Sequence, residues 1–235
     1  MKSSTAHILC IDIGGSNIKA IVFNNAGDPM NEYQKAATPE DATPRAVLNT
    51  IVNLVKDFPS YDKVSVGFPG YVRNGIVYTA PNLGNEKWYK IPFCNMLADA
   101  LKKPVRLLND ADIQSLAVAQ GKGLELVVTL GTGFGTAVLY DGKLLPHLEL
   151  AHHPVTKNKT YDMYIGEKAL EDAGEEKWNR RVQKTIQHLK TLFNYDHLYI
   201  GGGNAKKINF SLDDNITIIN NREGIKGGVR LWQNE

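Results

Sequence analysis

The run Leu107-Leu108-Asn109-Asp110-Ala111-Asp112 places two carboxylates and an amide where an apolar strand pattern gives way to a helical one. In open α/β sheets ligands gather at the carboxyl ends of strands, which puts Asp110 where chemistry is done. A carboxylate within hydrogen-bond reach of a hydroxyl takes its proton as the oxygen attacks, a contribution of about 10²–10⁴-fold in rate. Asn109 offers both a donor and an acceptor to a second hydroxyl. The two aspartates also suit a helix start, as caps or as first-turn charges, and Asp112 fits that structural role better.

Glycines that follow buried strands let a backbone approach a phosphate and aim N–H groups at it. Three such turns occur: Gly14-Gly15, Gly131-Thr132-Gly133 and Gly201-Gly202-Gly203. The dinucleotide fingerprint does not fit, because Gly14-Gly15 opens the strand-like SNIKAIVF and not a helix. No GK[ST] follows suitably placed glycines, so a Walker loop is excluded as well. Asp12 precedes the first turn. Beside phosphates its carboxylate needs a cation, which points to indirect, water-mediated Mg²⁺ organisation; capping of the turn by its side chain is the structural alternative. Lys19 faces either a phosphate or solvent from its alternating strand.

Two further segments carry polar groups in loops. Phe68-Pro69-Gly70 and Thr79-Ala80-Pro81-Asn82-Leu83 bracket a short hairpin and leave Asn82 at its end. Leu148-Glu149-Leu150-Ala151-His152 follows a strand, and on its own reads as an ordinary exposed Glu149–His152 pair. His152-His153 lacks a Cys or a third close His, so a metal centre is rejected there.

The elements that must position these groups are legible as pattern. Residues 7–23, HILCIDIGGSNIKAIVF, read as strand, Gly-Gly break, strand, with a third short strand near residues 32–36. Apolar positions at helical spacing span 43–58, with Thr43-Pro44 as cap and first turn. A buried strand at 63–67, a helix at 95–101, a strand at 105–108 and a helix at 111–119 follow. The opening pattern then returns in residues 125–140, ELVVTLGTGFGTAVLY. Setting Gly14 on Gly131 sets Asp12 on Thr129, Ala20 on Ala137 and Ile21-Val22-Phe23 on Val138-Leu139-Tyr140, the mark of a duplicated lobe. One long helical stretch covers 167–193, strands are expected at 197–200 and 216–219, and a helix over 223–232 closes the chain. Strands and helices alternate in both halves, which makes the class α/β.

Composition narrows the functions. Lys and Arg number 27 against 25 Asp and Glu, a net charge of +2, too balanced for a nucleic-acid footprint. Cys10 and Cys94, the two cysteines, are too few for a disulfide framework and read as buried thiols in a reducing compartment. The first residues fit neither a signal peptide nor a membrane span, so a soluble, cytoplasmic protein is expected.

In order along the chain, IDIGGSNIKA, GFPG, PNLGNEKW, LLNDAD, TLGTGFGTAVLYDGKL, ELAHHP and IGGGNAKK resemble the motifs of the ROK family of bacterial sugar kinases and sugar-responsive repressors. The resemblance covers nearly the whole chain and is nearest to the polyphosphate glucokinase branch. It implies a two-lobed actin-like ATPase (ribonuclease H-like) fold, with duplicated β-hairpin-plus-helix units and an interlobe cleft. It implies an N-terminal lobe over 1–109 and a C-terminal lobe over 110–235, whose last helix packs back towards the first.

By motif, Asp110 matches the family's catalytic base, and Asn82, Asn109, Glu149 and His152 match residues that bind sugar hydroxyls. Gly14, Gly15, Gly131, Thr132 and Gly133 match the phosphate turns, and Gly201, Gly202 and Gly203 the donor-side loop. The implied reaction is phosphoryl transfer from polyphosphate or ATP, with Mg²⁺, to the 6-hydroxyl of glucose or a close relative, in a homodimer without nucleic-acid or membrane partners. Lys206, Lys207, Arg180, Arg181 and Lys184 either line a polyanion path or form a solvated face. Two departures stand out. Ala151 replaces the usual glycine between Glu149 and His152, which motivates an alternative of a weak or silent sugar-binding protein with a regulatory role. The Cys-rich zinc motif is missing, so no zinc is expected. A strand pattern starting at His7 leaves no room for the helix-turn-helix of the family's repressors.

Overall fold

The protein is described from a computed structural model, covering residues 6–219 and 221–233. In the first half, strands β1 (Ile8–Ile13), β2 (Asn17–Phe23) and β3 (Gln34–Ala37) precede helix α1 (Pro44–Val55) and β4 (Lys63–Phe68). A small hairpin, β5 (Val72–Arg73) and β6 (Ile76–Val77), leads to α2 (Asn85–Trp88), α3 (Phe93–Leu101), β7 (Val105–Asn109) and α4 (Asp110–Val118). The second half holds β8 (Leu124–Leu130), β9 (Phe134–Tyr140), β10 (Lys143–Leu144), β11 (Pro154–Thr156) and β12 (Lys159–Thr160). Helices α5 (Tyr161–Ile165), α6 (Glu167–Ala173) and α7 (Glu175–Phe193) follow, then β13 (His197–Gly201), β14 (Ile216–Ile218) and α8 (Gly227–Arg230). Two compact units result: one runs to Ala117 and takes in the segment from Ile225 onward, the other is Val118–Gly224.

Each unit is built on a five-stranded sheet, ordered β3-β2-β1-β4-β7 in the first and β10-β9-β8-β13-β14 in the second. In both, an antiparallel meander is extended by two parallel strands. This is the duplication read from the sequence. Alternation decides the faces: Leu9, Ile11 and Ile13 enter a core with Val47, Leu48 and Ile51 of α1, while Ile8 and Cys10 meet Val229 of α8 on the other face. Thr43 caps α1 through its side chain, which accepts from Ala46 N at 3.3 Å.

The alignment of the two hairpins needs one correction. Along the first strand it holds, since Leu126, Val128 and Leu130 face their core as Leu9, Ile11 and Ile13 do. Along the second it slips. Ile13 pairs with Ile18 across residues 14–17, whereas Leu130 pairs with Phe134 across 131–133, a turn one residue shorter. A one-residue slip exchanges the faces of a strand, so Val22 corresponds to Val138 and not to Leu139.

Two helical expectations are also corrected. The stretch 167–193 is broken at Gly174, whose φ of 75° ends α6 and starts α7. The closing segment is a 3-10 turn followed by the short α8. Its glycines serve contact: a side chain on Gly227 would collide with the Ile113 carbonyl, and one on Gly228 would meet Cys10 Sγ at 2.7 Å. Bare backbone lies flush on the sheet, and Ser65 Oγ donates to the Gly228 carbonyl at 2.6 Å.

Candidate functional site

In the first unit β1 runs into the turn at Gly14 and Gly15. Gly14 N donates to the Asn17 carbonyl at 2.9 Å, and Thr38 Oγ1 donates to the Gly14 carbonyl at 2.7 Å, so the turn is braced from two sides. Space, not φ, limits a side chain here: a Cβ on Gly15 would lie 3.3 Å from Asn82 Cβ, which would have to give by a few tenths of an ångström. Asn82 is exposed in the turn after β6 and abuts Gly15. Buried Asn109 ends β7; its Nδ2 donates to the Gly70 carbonyl at 3.1 Å and its Oδ1 accepts from Ala111 N at 2.8 Å. The start of α4 is therefore capped by Asn109, and Asp110 Oδ1 shares the same N–H at 2.9 Å. Asp112 is buried in the helix's first turn.

Gly67, on β4, lies by both acids: a Cβ there would be 3.7 Å from both Asp110 Cβ and Asp12 Oδ1. Lys19 takes a third course beyond the two expected: it faces its β1 partner Asp12, with Nζ 3.3 Å from Oδ2. Partial burial pulls the Lys19 ammonium down, but Asp12 and Tyr33 beside it outweigh that and hold its pKa above the usual lysine value.

The second unit brings together the other two glycine turns, which leave neighbouring strands β8 and β13. Gly202 has φ of 92°, and a side chain there would collide with the Leu130 backbone. Asn204 N donates to the Leu130 carbonyl at 2.9 Å and ties the loop to the same point. By contrast, Gly131 and Gly203 have no positive φ, and a Cβ on either would meet nothing within 4 Å. The chain itself does not require glycine at these two positions. Thr132 is exposed between Gly131 and Gly133, and Lys206 and Lys207 sit in the 3-10 turn that follows Gly203 and Asn204. Arg180 pairs with Glu176 of its own helix at 2.6 Å, half-buried Arg181 donates to the Tyr164 carbonyl at 3.2 Å, and Lys184 is exposed on the same helix.

Glu149 and His152 are neighbours, with Nε2 3.8 Å from Oε2 across a 3-10 turn. Ala151 lies in that turn without positive φ, so its methyl imposes no backbone strain on His152. Two residues near them were not singled out from the sequence. His147 Nε2 lies 3.5 Å from Glu149 Oε1. Asp162 Oδ1 accepts from Phe134 N at 2.6 Å and touches the space a Gly133 side chain would fill. Burial pushes the Asp162 carboxyl up, the Phe134 N–H and His152 pull it back, and Glu149 adds to the push. Interaction with His147 is the largest influence on Glu149 and holds its pKa below the usual range against the opposing effect of burial, with His152 helping.

Among the described residues no group of three or more His, Cys, Asp or Glu side chains is gathered to hold a metal ion. Among the same residues no helix is long and apolar enough to cross a membrane.

The profile of the ROK family matches residues 8–160. This chain belongs to the ROK family. Among its ROK relatives, the polyphosphate glucokinase of Mycobacterium tuberculosis is 33% identical over 210 residues, covering 86% of this chain and 79% of that protein. The structure of an inorganic polyphosphate/ATP-glucomannokinase from Arthrobacter sp. strain KM superposes with a TM-score of 0.85 at 30% identity, covering 96% of this chain and 98% of that one. A ROK family glucokinase from Streptomyces griseus, solved with glucose and AMPPNP, superposes with a TM-score of 0.80 at 18% identity over 96% and 99%, a likeness of fold. The two-lobed actin-like ATPase fold implied by the motifs is thus that of this protein.

Proposed function

We propose that this ROK protein is a hexose kinase, transferring a phosphoryl group from polyphosphate or ATP to the 6-hydroxyl of glucose or a close relative. The observation that carries the reading is the convergence in the first unit: Asp110 opens α4 at the end of β7, next to Asn109 and across Gly67 from Asp12. Asp110 is the general base. It accepts the hydroxyl proton as the oxygen bonds to the terminal phosphorus; the bridging P–O bond breaks and its electron pair leaves with the shortened donor. Asn82 and Asn109 hold sugar hydroxyls, as do Glu149 and His152 of the second unit. The braced turn at Gly14 and Gly15 and the turns containing Gly131, Thr132, Gly133, Gly201, Gly202 and Gly203 bind phosphates, their bare backbone admitting close approach. The names of the relatives favour this activity over a purely regulatory role.

The residues fit Mg²⁺ as the accompanying cation. Mg²⁺ keeps most of its waters and takes one or two carboxylates plus phosphates, and Asp12 is a half-buried carboxylate beside bare backbone. When bound it neutralises phosphate charge. Cytoplasmic residence and a homodimer belong to the same proposal.

The test is glucose phosphorylation with ATP and with polyphosphate by the wild type and Asp110→Asn. Turnover of the variant is expected to fall by about 10²–10⁴-fold, with calorimetric glucose affinity within about twofold. Near-normal turnover removes Asp110 as the base, and a wild type inactive with both donors on a hexose panel removes the kinase reading.

A further inference from the structure

Each oxygen of Glu149 has an imidazole beside it. His147 Nε2 stands 3.5 Å from Oε1, and His152 Nε2 stands 3.8 Å from Oε2. The two imidazoles differ in freedom: the His147 side chain is 7% exposed and that of His152 is 64% exposed. A buried ring has given up its rotamers before a ligand arrives, whereas an exposed one can still turn. The loop that carries His147 is fixed as well. Leu145 N donates to the Val138 carbonyl at 2.8 Å, and Thr136 Oγ1 donates to the Leu148 carbonyl at 2.9 Å, both on β9. His147 is thus anchored before and after by a core strand.

We propose that His147 is a positioning residue for sugar recognition: it engages Oε1 of Glu149 and leaves Oε2, beside the exposed His152, as the acceptor for a sugar hydroxyl. The inference rests on the reading of Glu149 and His152 as sugar-binding residues. At 3.8 Å the Oε2 and Nε2 atoms are too far apart for a good hydrogen bond to each other, and near enough to share one hydroxyl between them. A carboxylate that keeps its charge accepts that bond more strongly than a neutral acid would.

The consequence for pH has a definite sign. Glu149 is faced by His147, His152 and Asp162. Its lowered pKa keeps the carboxylate ionised into the acid range, and glucose affinity is lost as pH falls through that value. Without His147 the pKa moves back up, so affinity is lost at higher pH. Asp162 and His152 remain in both proteins, and the displacement between the two profiles reports Glu149.

The experiment measures glucose binding by calorimetry across the acid range for wild type, His147→Phe, His147→Gln, Glu149→Gln and the Phe/Gln double variant. His147→Phe is expected to weaken binding about tenfold, the loss of one hydrogen bond to a charged group, and to move the acid limb upward. His147→Gln keeps an N–H and recovers most of the affinity. In the Glu149→Gln background the Phe substitution adds nothing, since a positioning residue acts only through its partner. Wild-type affinity in His147→Phe alongside a weakened Glu149→Gln overturns the role of His147 alone. Equal losses in the Phe and Gln variants, or additivity in the double variant, overturn it in favour of simple packing. Unchanged binding in Glu149→Gln instead overturns the reading on which the inference rests. Should circular dichroism show the Phe variant unfolded, His147→Asn, too short to reach Oε1, takes its place in each comparison.

Discussion

The two sheets share strand order and strand sense, yet their strand ends carry different chemistry. In the first unit, Asp12 on β1 lies across from Gly67 on β4, and Asp110 flanks the same glycine. In the second, Thr129 occupies the place of Asp12 and Gly201 the place of Gly67. The first unit ends its central strands in carboxylates; the second ends them in Thr129 and glycine, and its acid, Asp162, reaches the turn from a helix outside the sheet. Carboxylates manage protons and cations, while the open space beside Gly131 and Gly203 lets a bulky anion approach the backbone. The duplicated topology fixes where loops emerge, and a few residues at the strand ends decide what each unit can hold.

The glycines divide along the same line, and substitutions can break that division. The largest effect belongs to Gly202, where φ is 92° and a side chain meets the Leu130 backbone. Gly202→Ala is expected to cost about 2–4 kcal/mol in urea unfolding. A loss under about 1 kcal/mol would mean that this loop relaxes freely, and with it the link between the two turns of the second unit.

Gly131 is the sharper case, because nothing in the chain demands glycine there. Gly131→Ala should leave stability within about 0.5 kcal/mol while raising the KM for the phosphoryl donor about tenfold, because the new methyl fills open space that the donor would occupy, at about the cost of one contact to a charged group. An unchanged donor KM would remove this turn from the donor site. A large loss of stability would instead show that the open space beside Gly131 is needed for folding.

Much of this was legible in the sequence because it is local. Apolar alternation marked β1, β2, β8 and β9, the Thr43-Pro44 pair marked the start of α1, and Asn109-Asp110 stood where a strand becomes a helix. What escaped was mostly non-local. Asp162 reads as an ordinary first-turn acid after Thr160, a good helix cap, and only the fold sets it on Phe134 N, 28 residues earlier. His147 reads as a loop histidine until burial shows it seated on Glu149. Asn109 could be assigned free hydrogen-bonding capacity from its type, yet one lone pair and one N–H are committed to the α4 cap and Gly70. The slip between the hairpins was hidden for another reason: two apolar faces of a buried strand look alike in sequence, so the shorter second turn showed only in the pairing.

Gly15→Ala is the smallest expected change and the one that joins stability to binding. Its Cβ would sit 3.3 Å from Asn82 Cβ, a tight contact against an exposed residue that has room to yield. The cost in stability should therefore stay near 0.5–1 kcal/mol, roughly that of mild overpacking. The yielding itself moves Asn82, a proposed sugar contact, while the new methyl stands on the phosphate turn. Both KM values should then rise in Gly15→Ala, by about threefold each, whereas Gly131→Ala moves the donor KM alone. Steady-state kinetics with each substrate varied in turn separates these outcomes. If Gly15→Ala shifts only the donor KM, Asn82 does not hold the sugar, and the first unit's acceptor role rests on Asn109 and Asp110 alone.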